Sequence, residues 1–411
     1  MKTNAMFTSF LPQVIGAILA LITFRMYSEL LTPIQLGEAM LALGGIALFD
    51  AIFSSSVNQV VFYYGSNKNF KYKVFSFLKN YKRFTTVIGL MIILLIIIVS
   101  FLDLYNFYGM LVLILLGYAV IEPSRSSLFS LLNLSGTRKI YGLQVILDAI
   151  FNFTLIFLAL YFKPNWVFLL VGILTSRYFS LVTNSLFLRS SFDLSENLNE
   201  KNIVLDKKEV LKQIQPVMLM GIIGWLSGFA DRYIIAGSIG VSGAGYYSLA
   251  TGLVGRPYNV TTSALTVHFR PDLYKFNSEN EYGKFQDIAK NWLKYALIIG
   301  VVGIVLFAIL GGPLVDVLLA KEYRTEIENI LYVIAGAYCF TIMTHAIDNK
   351  FLAKGLGVNL FKLQLILTPF PFVFIVIGAL YNGVEGAVIG KLIAEIFKFL
   401  IMFYASKKID K

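Results

Sequence analysis

The sequence predicts an all-α membrane protein: twelve transmembrane helices in two six-helix bundles, related by a pseudo-two-fold axis along the membrane normal, around a central cavity. Three observations carry this expectation. The 411 residues are 57% apolar and 15% aromatic but only 14% charged, which is more apolar surface than a soluble globule hides. The apolar runs come in lengths of about 20 residues, enough for a helix to cross hydrocarbon. Short sequence patterns from the first half return, in order, in the second.

The apolar runs centre near Ala20, Gly45, Leu94, Leu116, Phe153, Leu174, Trp225, Gly255, Gly303, Ala335, Phe374 and Phe397. An even number of spans places both termini on one side. Basic residues crowd the even-numbered connections, such as Lys68, Lys71, Lys73, Lys79, Lys82 and Arg83, whereas the odd-numbered connections hold only Lys163, Lys321 and Arg324. By the positive-inside rule both termini are cytoplasmic. The first apolar run follows only Lys2 and has no clear cleavage site, so it reads as a retained helix. The net charge of +11 belongs to these short loops beside anionic lipid; membrane lipids are expected partners and nucleic acid is not.

A polar stretch at 189–215 separates six spans from six. The expected organisation is an N-terminal lobe at 1–195, a cytoplasmic linker at 196–212 and a C-terminal lobe at 213–411. Leu31-Thr-Pro-Ile-Gln-Leu-Gly37 matches Ile239-Gly-Val-Ser-Gly-Ala-Gly245. Leu143-Gln-Val-Ile146 matches Leu363-Gln-Leu-Ile366, and Gly172-Ile-Leu-Thr-Ser-Arg-Tyr-Phe179 matches Gly390-Lys-Leu-Ile-Ala-Glu-Ile-Phe397. The offsets are 208, 220 and 218 residues. A parallel repeat of this kind is common in transporters.

Arg25, Arg125, Arg177, Arg232 and Arg256 all lie within apolar runs. A charge near the bilayer centre costs roughly 2.5–3.5 kcal/mol on insertion scales, so five of them imply partners, water or a ligand. Guanidinium is always charged and grips phosphate bidentately, which suits a phosphate or pyrophosphate head better than a sugar or a cation. The five are therefore the expected substrate-binding residues. Arg25, Arg177 and Arg256 are taken to lack an acid at a same-face spacing, and a cavity-lining role is favoured for them. Glu122, three before Arg125, leaves that arginine open between an ion pair and a ligand. Asp231 and Arg232 point about 100° apart on a helix, and different partners are expected for them. Lys391, Glu395 and Lys398 read as ion pairs within the membrane.

Asp231, Asp50 and Asp148 are candidate sites for coupling to Na+ or H+. A counter-ion role stands level with that for Asp231 and ahead of it for the other two. His345 and Asp348 read as polar residues at a helix end, and 267–291 as a continuation of span 8 followed by a surface segment. Gly221, Gly224, Gly228, Gly255, Pro257, Pro369 and Pro371 permit close helix approach and bending. Lone Cys339 excludes a disulfide framework and a thiolate metal site. No HExxH, CxxC, GxSxG or Walker-type motif occurs, so neither enzymatic chemistry nor a cofactor or metal is expected.

Gly224-Trp-Leu-Ser-Gly-Phe-Ala-Asp-Arg-Tyr-Ile-Ile-Ala-Gly-Ser-Ile-Gly240 and Ala244-Gly-Tyr-Tyr-Ser-Leu-Ala250 resemble the span 7 to span 8 signature of Wzx-type polysaccharide flippases. These belong to the multidrug/oligosaccharidyl-lipid/polysaccharide (MOP) exporter superfamily. Leu30-Leu-Thr-Pro-Ile-Gln-Leu-Gly37 is similar to that family's loop after span 1, although Glu38 stands where an aromatic is common. Gly312-Pro-Leu-Val with Glu322-Tyr323 and Tyr381-Asn-Gly-Val-Glu-Gly-Ala387 are similar to later connections. The resemblance implies a monomeric transport unit in the bacterial cytoplasmic membrane, opening alternately to each side and associated with polysaccharide-synthesis proteins. Its cargo would be an undecaprenyl pyrophosphate-linked oligosaccharide for O-antigen or capsule, moved from inner to outer leaflet. Arg25, Arg232 and Arg256 carry over from the family most readily. A multidrug or metabolite antiporter of the same superfamily is the alternative, followed by a membrane-embedded glycan polymerase.

Overall fold

A computed structural model describes the backbone of residues 2–64, 68–102, 106–134, 138–191 and 207–409. Side chains are described for 12, 15, 16, 18–58, 61, 85–102, 106–132, 140–188, 214, 215 and 217–409. The basic segment from Lys68 to Arg83, expected as a connection between spans, is helical as the first part of α4; its side chains and those of nearly all of the 189–215 stretch lie outside the described ones. The described backbone is all helical. In chain order it forms α1 (Lys2–Leu30), α2 (Pro33–Phe49), a π-helical turn (Asp50–Ser54), α3 (Ser55–Tyr64), α4 (Lys68–Phe101), α5 (Phe107–Leu134), α6 (Arg138–Phe162) and α7 (Trp166–Ser191). There follow α8 (Lys207–Gly228), α9 (Ala230–Ile239), α10 (Val241–Ser278), α11 (Tyr282–Leu318), α12 (Lys321–Glu328), α13 (Leu331–Ala353), α14 (Gly357–Leu367) and α15 (Pro369–Lys408).

Among the described residues, eight helical stretches are long and apolar enough to cross a membrane: Pro33–Asn58, Phe107–Leu132, Ile140–Phe162, Trp166–Leu188, Val217–Ile239, Tyr282–Leu318, Leu331–Ala353 and Gly357–Lys408. The remaining expected centres are also helical. Ala20 lies in α1, Leu94 in the shorter apolar helix Thr85–Phe101, and Gly255 in α10, whose polar residues dilute its hydropathy. Phe374 and Phe397 share α15, but that helix is broken at Asn382 (φ −145°, ψ 43°) and Gly383 (φ 55°, ψ −137°). Gly378 meets the Gly386 carbonyl and Gly390 the Phe374 carbonyl, so α15 folds back on itself as an antiparallel pair. The positive φ at Gly383 is open to glycine at little cost, and it makes the reversal.

The chain forms two compact units. The first comprises Met1–Leu31 and Leu41–Trp225; the second comprises Thr32–Met40 and Leu226–Lys411. In the first, α7 packs on α4, α5 and α6, and α1 packs on α6. Val167, Leu169, Leu170, Leu174, Leu181 and Leu188 of α7 are buried against this ring, with Ile114, Ile121, Leu128 and Leu131 of α5. Gly172 permits the contact, since a side chain there would collide with the Ile156 backbone of α6. The Trp225 indole donates to the Gly44 carbonyl at 2.7 Å and fixes the end of α8 on α2.

In the second unit α13 is central, packing on α10, α11, α14 and α15, while α9 packs on α10 and α15. Phe269, Leu273, Phe285, Trp292, Ala346 and Ala353 form a core cluster between α10, α11 and α13. α10 continues as one helix past Pro257 and Pro271 to Ser278, then turns into α11 at Tyr282. The first turn of α2 crosses the first turn of α10. A side chain on Gly37 would strike the Val241 carbonyl, and one on Gly245 would strike the Pro33 carbonyl. These are the residues that the 208-residue offset pairs, Pro33 with Val241 and Gly37 with Gly245, and the contact within the second unit is reciprocal.

Candidate functional site

The first unit carries a polar cluster built around the π turn. A π turn widens the helix by one residue, and such turns are frequent at functional sites. Asp50 opens this one, and its carboxylate accepts a hydrogen bond from the Tyr118 hydroxyl of α5 at 2.7 Å. Its other oxygen, Oδ1, is buried without a partner among the described residues. Arg177 of α7, half-buried, interacts electrostatically with Asp50, Tyr118 and Glu122. Its Nε is also buried without a hydrogen-bond partner among the described residues.

About two helical turns beyond Tyr118 on α5, Arg125 is committed to carboxylates. Its Nε donates to Glu122 Oε2 at 2.7 Å, its Nη2 to Glu122 Oε1, and its Nη1 to Asp148 Oδ2 of α6 at 3.4 Å. Asp148 also accepts from Gln144 at 2.7 Å, which donates in turn to Thr183 of α7 at 2.9 Å. Arg125 and Glu122 are only 8% and 3% exposed. A fork-on-fork pair of this kind satisfies the desolvated guanidinium from within. The cluster thus holds two arginines against Glu122, Asp148 and Asp50.

Arg25 corrects the expectation that it has no acid on its own face. Glu29, four residues on, pairs with it across the surface of α1, the i,i+4 geometry that brings side chains together on one helix stripe.

In the second unit Asp231 and Arg232 share contacts, against the expectation of separate partners. The cause is the break at Phe229 (φ −132°, ψ −24°), which puts Asp231 in the first turn of α9 instead of mid-helix. There its Oδ1 accepts from the Arg232 amide at 2.9 Å and lies 3.3 Å from Arg232 Nη1. Arg232 Nη1 also donates to the Gly228 carbonyl at 2.8 Å, and the guanidinium stacks 4.9 Å over Phe229. Lys391 corrects a second expectation, because it reaches Asp231 Oδ2 at 2.8 Å instead of pairing with Glu395. Tyr247 completes a triangle, donating to Asp231 while accepting from Lys391 at 2.8 Å. Arg256 is exposed on α10.

Further along α10 an open surface groove of about 440 Å³ is lined by Thr266, Val267, Arg270, Pro271 and Tyr274, in a segment to which the sequence assigned no chemistry. The Arg270 guanidinium lies 5.5 Å over the Tyr274 ring. Among the described residues no group of three or more His, Cys, Asp or Glu is placed to hold a metal ion.

No family model and no curated protein matches the sequence. Solved structures do match. A multidrug resistance MATE family transporter of the MOP superfamily, inward-facing, is similar at TM-score 0.72 and 16% identity, over 99% of this chain and 98% of that one. The lipid II flippase MurJ in an inward closed conformation is similar at TM-score 0.70 and 12% identity, over 98% and 87%. A MATE crystal structure in complex with MaD3S is similar at TM-score 0.64 and 16% identity, over 98% and 96%. At these identities the likeness establishes the fold alone, an all-helical architecture shared with these solved structures.

Proposed function

We propose that this chain is a flippase. It moves an isoprenoid pyrophosphate-linked oligosaccharide from the inner to the outer leaflet of the bacterial cytoplasmic membrane by alternating access, for assembly of a surface polysaccharide. The observation that supports this most is Arg177, a membrane-embedded guanidinium whose Nε is buried and without a hydrogen-bond partner among the described residues, on a fold shared with a lipid II flippase. An anionic head with several oxygens is the complement such a group requires. In this reading the lobes are 1–195 and 213–411, joined by the 196–212 linker, with both termini cytoplasmic. Arg177, Arg256, Arg25 and Arg232 meet the pyrophosphate. Arg125, already forked onto Glu122, holds the first unit together.

Coupling to Na+ or H+ falls to Asp50 ahead of Asp148 and Asp231. Asp50 keeps a buried oxygen unpartnered, whereas Asp148 and Asp231 are occupied by Arg125 and Lys391.

A second reading, export of drugs or metabolites, draws on the equal likeness to a MATE transporter. Deletion and complementation separate the two. The flippase reading expects a pyrophosphate-linked precursor to accumulate in the deletion strain and to persist with Arg177→Gln or Arg256→Gln, although the protein inserts normally. Normal glycan export in the deletion strain together with lost drug efflux would overturn it in favour of the second.

A further inference from the structure

The groove near the end of α10 stands apart from the two polar clusters. Of its lining residues, Thr266, Arg270 and Tyr274 form one stripe of the helix at i, i+4 and i+8, and Val267 and Pro271 form the next. Its depth in the membrane follows from α11. Phe269, beside Arg270, packs its ring 5.8 Å from both Trp292 and Tyr295. At Tyr295 α11 changes character: Lys284, Asp287, Lys290 and Lys294 precede it, and the run 296–310 is wholly apolar. Tryptophan and tyrosine gather where hydrocarbon meets headgroups, so Arg270 stands at the level of lipid phosphate.

The groove offers donors, an acceptor and an apolar wall at that level. Arg270 is exposed, its guanidinium lies 5.5 Å over the Tyr274 ring, and among the described residues no carboxylate pairs with it. Asp272, the nearest acid in sequence, lies two residues on and on the opposite side of the helix. Pro271 has no amide hydrogen, so the carbonyl four residues back, that of Val267, loses its helical donor. Val267 itself is 77% exposed. Thr266 is already engaged, since its hydroxyl donates to the Thr262 carbonyl at 2.7 Å and lies 3.1 Å from His345 Nε2; it forms a wall and not a ligand.

A free phosphate would use only the guanidinium. A phospholipid uses all three features: its phosphodiester oxygens accept from Arg270, a headgroup hydroxyl donates to the Val267 carbonyl, and an acyl chain lies along Val267 and Pro271. We propose that this groove is a binding site for an anionic glycerophospholipid with a hydroxylated head, in which Arg270 holds the phosphodiester. The site concerns the surrounding membrane and not the cargo, so it stands or falls separately from the proposed glycan.

Native mass spectrometry tests it on the full-length protein, delipidated in detergent and titrated with phosphatidylglycerol or with phosphatidylcholine of the same acyl chains. The wild type is expected to retain phosphatidylglycerol in preference. Arg270→Gln should weaken that retention about fivefold, the worth of roughly one basic residue beside anionic lipid. Val267→Trp, which fills the groove and leaves the charge alone, should weaken it as well. Lys284→Gln removes an exposed lysine already paired with Glu281 and should leave it unchanged. A wild type without the preference overturns the proposal, as does retention unaltered by Arg270→Gln or by Val267→Trp. Equal loss from Arg270→Gln and Lys284→Gln overturns it too, since that outcome reports net charge alone. Displacement of the lipid by glycerol 3-phosphate at equal concentration would assign the groove to a soluble phosphate instead.

Discussion

The Lys391 ammonium lies 2.8 Å from the Asp231 carboxylate although 160 residues separate the two in sequence. Asp231 and Tyr247 are buried and Lys391 is largely so; the Tyr247 hydroxyl closes the triangle, and the ammonium also sits 5.3 Å over the Tyr247 ring. Removing one member of a buried pair leaves an uncompensated charge and costs about 3–5 kcal/mol, whereas removing both is far cheaper. Lys391→Met should therefore lower the denaturation midpoint of the purified protein strongly. Asp231→Asn combined with Lys391→Met should recover most of the loss. A double variant no more stable than Lys391→Met alone would show that the pair is not coupled.

Arg125 and Arg177 belong to one cluster yet are predicted to fail differently. Arg125→Gln strands Glu122, at 3% exposure, and should cost about 3–5 kcal/mol of stability. Arg177→Gln removes a group whose Nε has no hydrogen-bond partner among the described residues, and should cost less stability than Arg125→Gln while abolishing the proposed export. Thermal denaturation of both variants in detergent, paired with a glycan-export assay in cells, separates the roles. Equal destabilisation by the two would place Arg177 among the structural cations.

Hydropathy and charge bias made the helices readable, because crossing a membrane imposes a length and a composition that local sequence must display. Partners from distant segments were not readable in the same way. Asp148 meets Arg125 from another helix, and Lys391 meets Asp231 from a different end of the second unit. Nothing at i,i+3 or i,i+4 announces either. Glu29 was legible, being four residues from Arg25, and spacing alone would have found it. The break at Phe229 was not, since Gly228 before it is equally compatible with a straight helix; it is that break which changes where Asp231 points.

The repeat motif around Gly37 and Gly245 was visible as weak similarity and has a physical cause in the fold. Each glycine meets the carbonyl of the residue equivalent to the other's partner, so a methyl group at either would strike backbone that cannot swing aside. Overpacking of this kind costs about 1–3 kcal/mol per site. Gly37→Ala and Gly245→Ala should each destabilise by such an amount, and similarly to one another. Gly224→Ala and Gly228→Ala should be tolerated, as open space faces both. Comparing the four midpoints checks the contact, and equal tolerance at all four positions would contradict it.

Gly383 makes the reversal that divides α15 into two antiparallel helices. Its φ of 55° with ψ of −137° lies in a region that side-chain-bearing residues avoid, at a cost of order 1–3 kcal/mol. No atom outside its chain neighbours approaches the site within 4 Å, so a methyl group there meets no steric obstacle and the penalty is conformational. Gly383→Ala is therefore expected to lower stability by about 1–3 kcal/mol. Asn382 helps hold the turn by donating to Glu385 Oε2 at 3.0 Å, but that bond is exposed, and Asn382→Ala should cost less than about 1 kcal/mol. If Asn382→Ala instead proves the more damaging of the two in a denaturation series, the turn is held by the side chain and not by the backbone of Gly383.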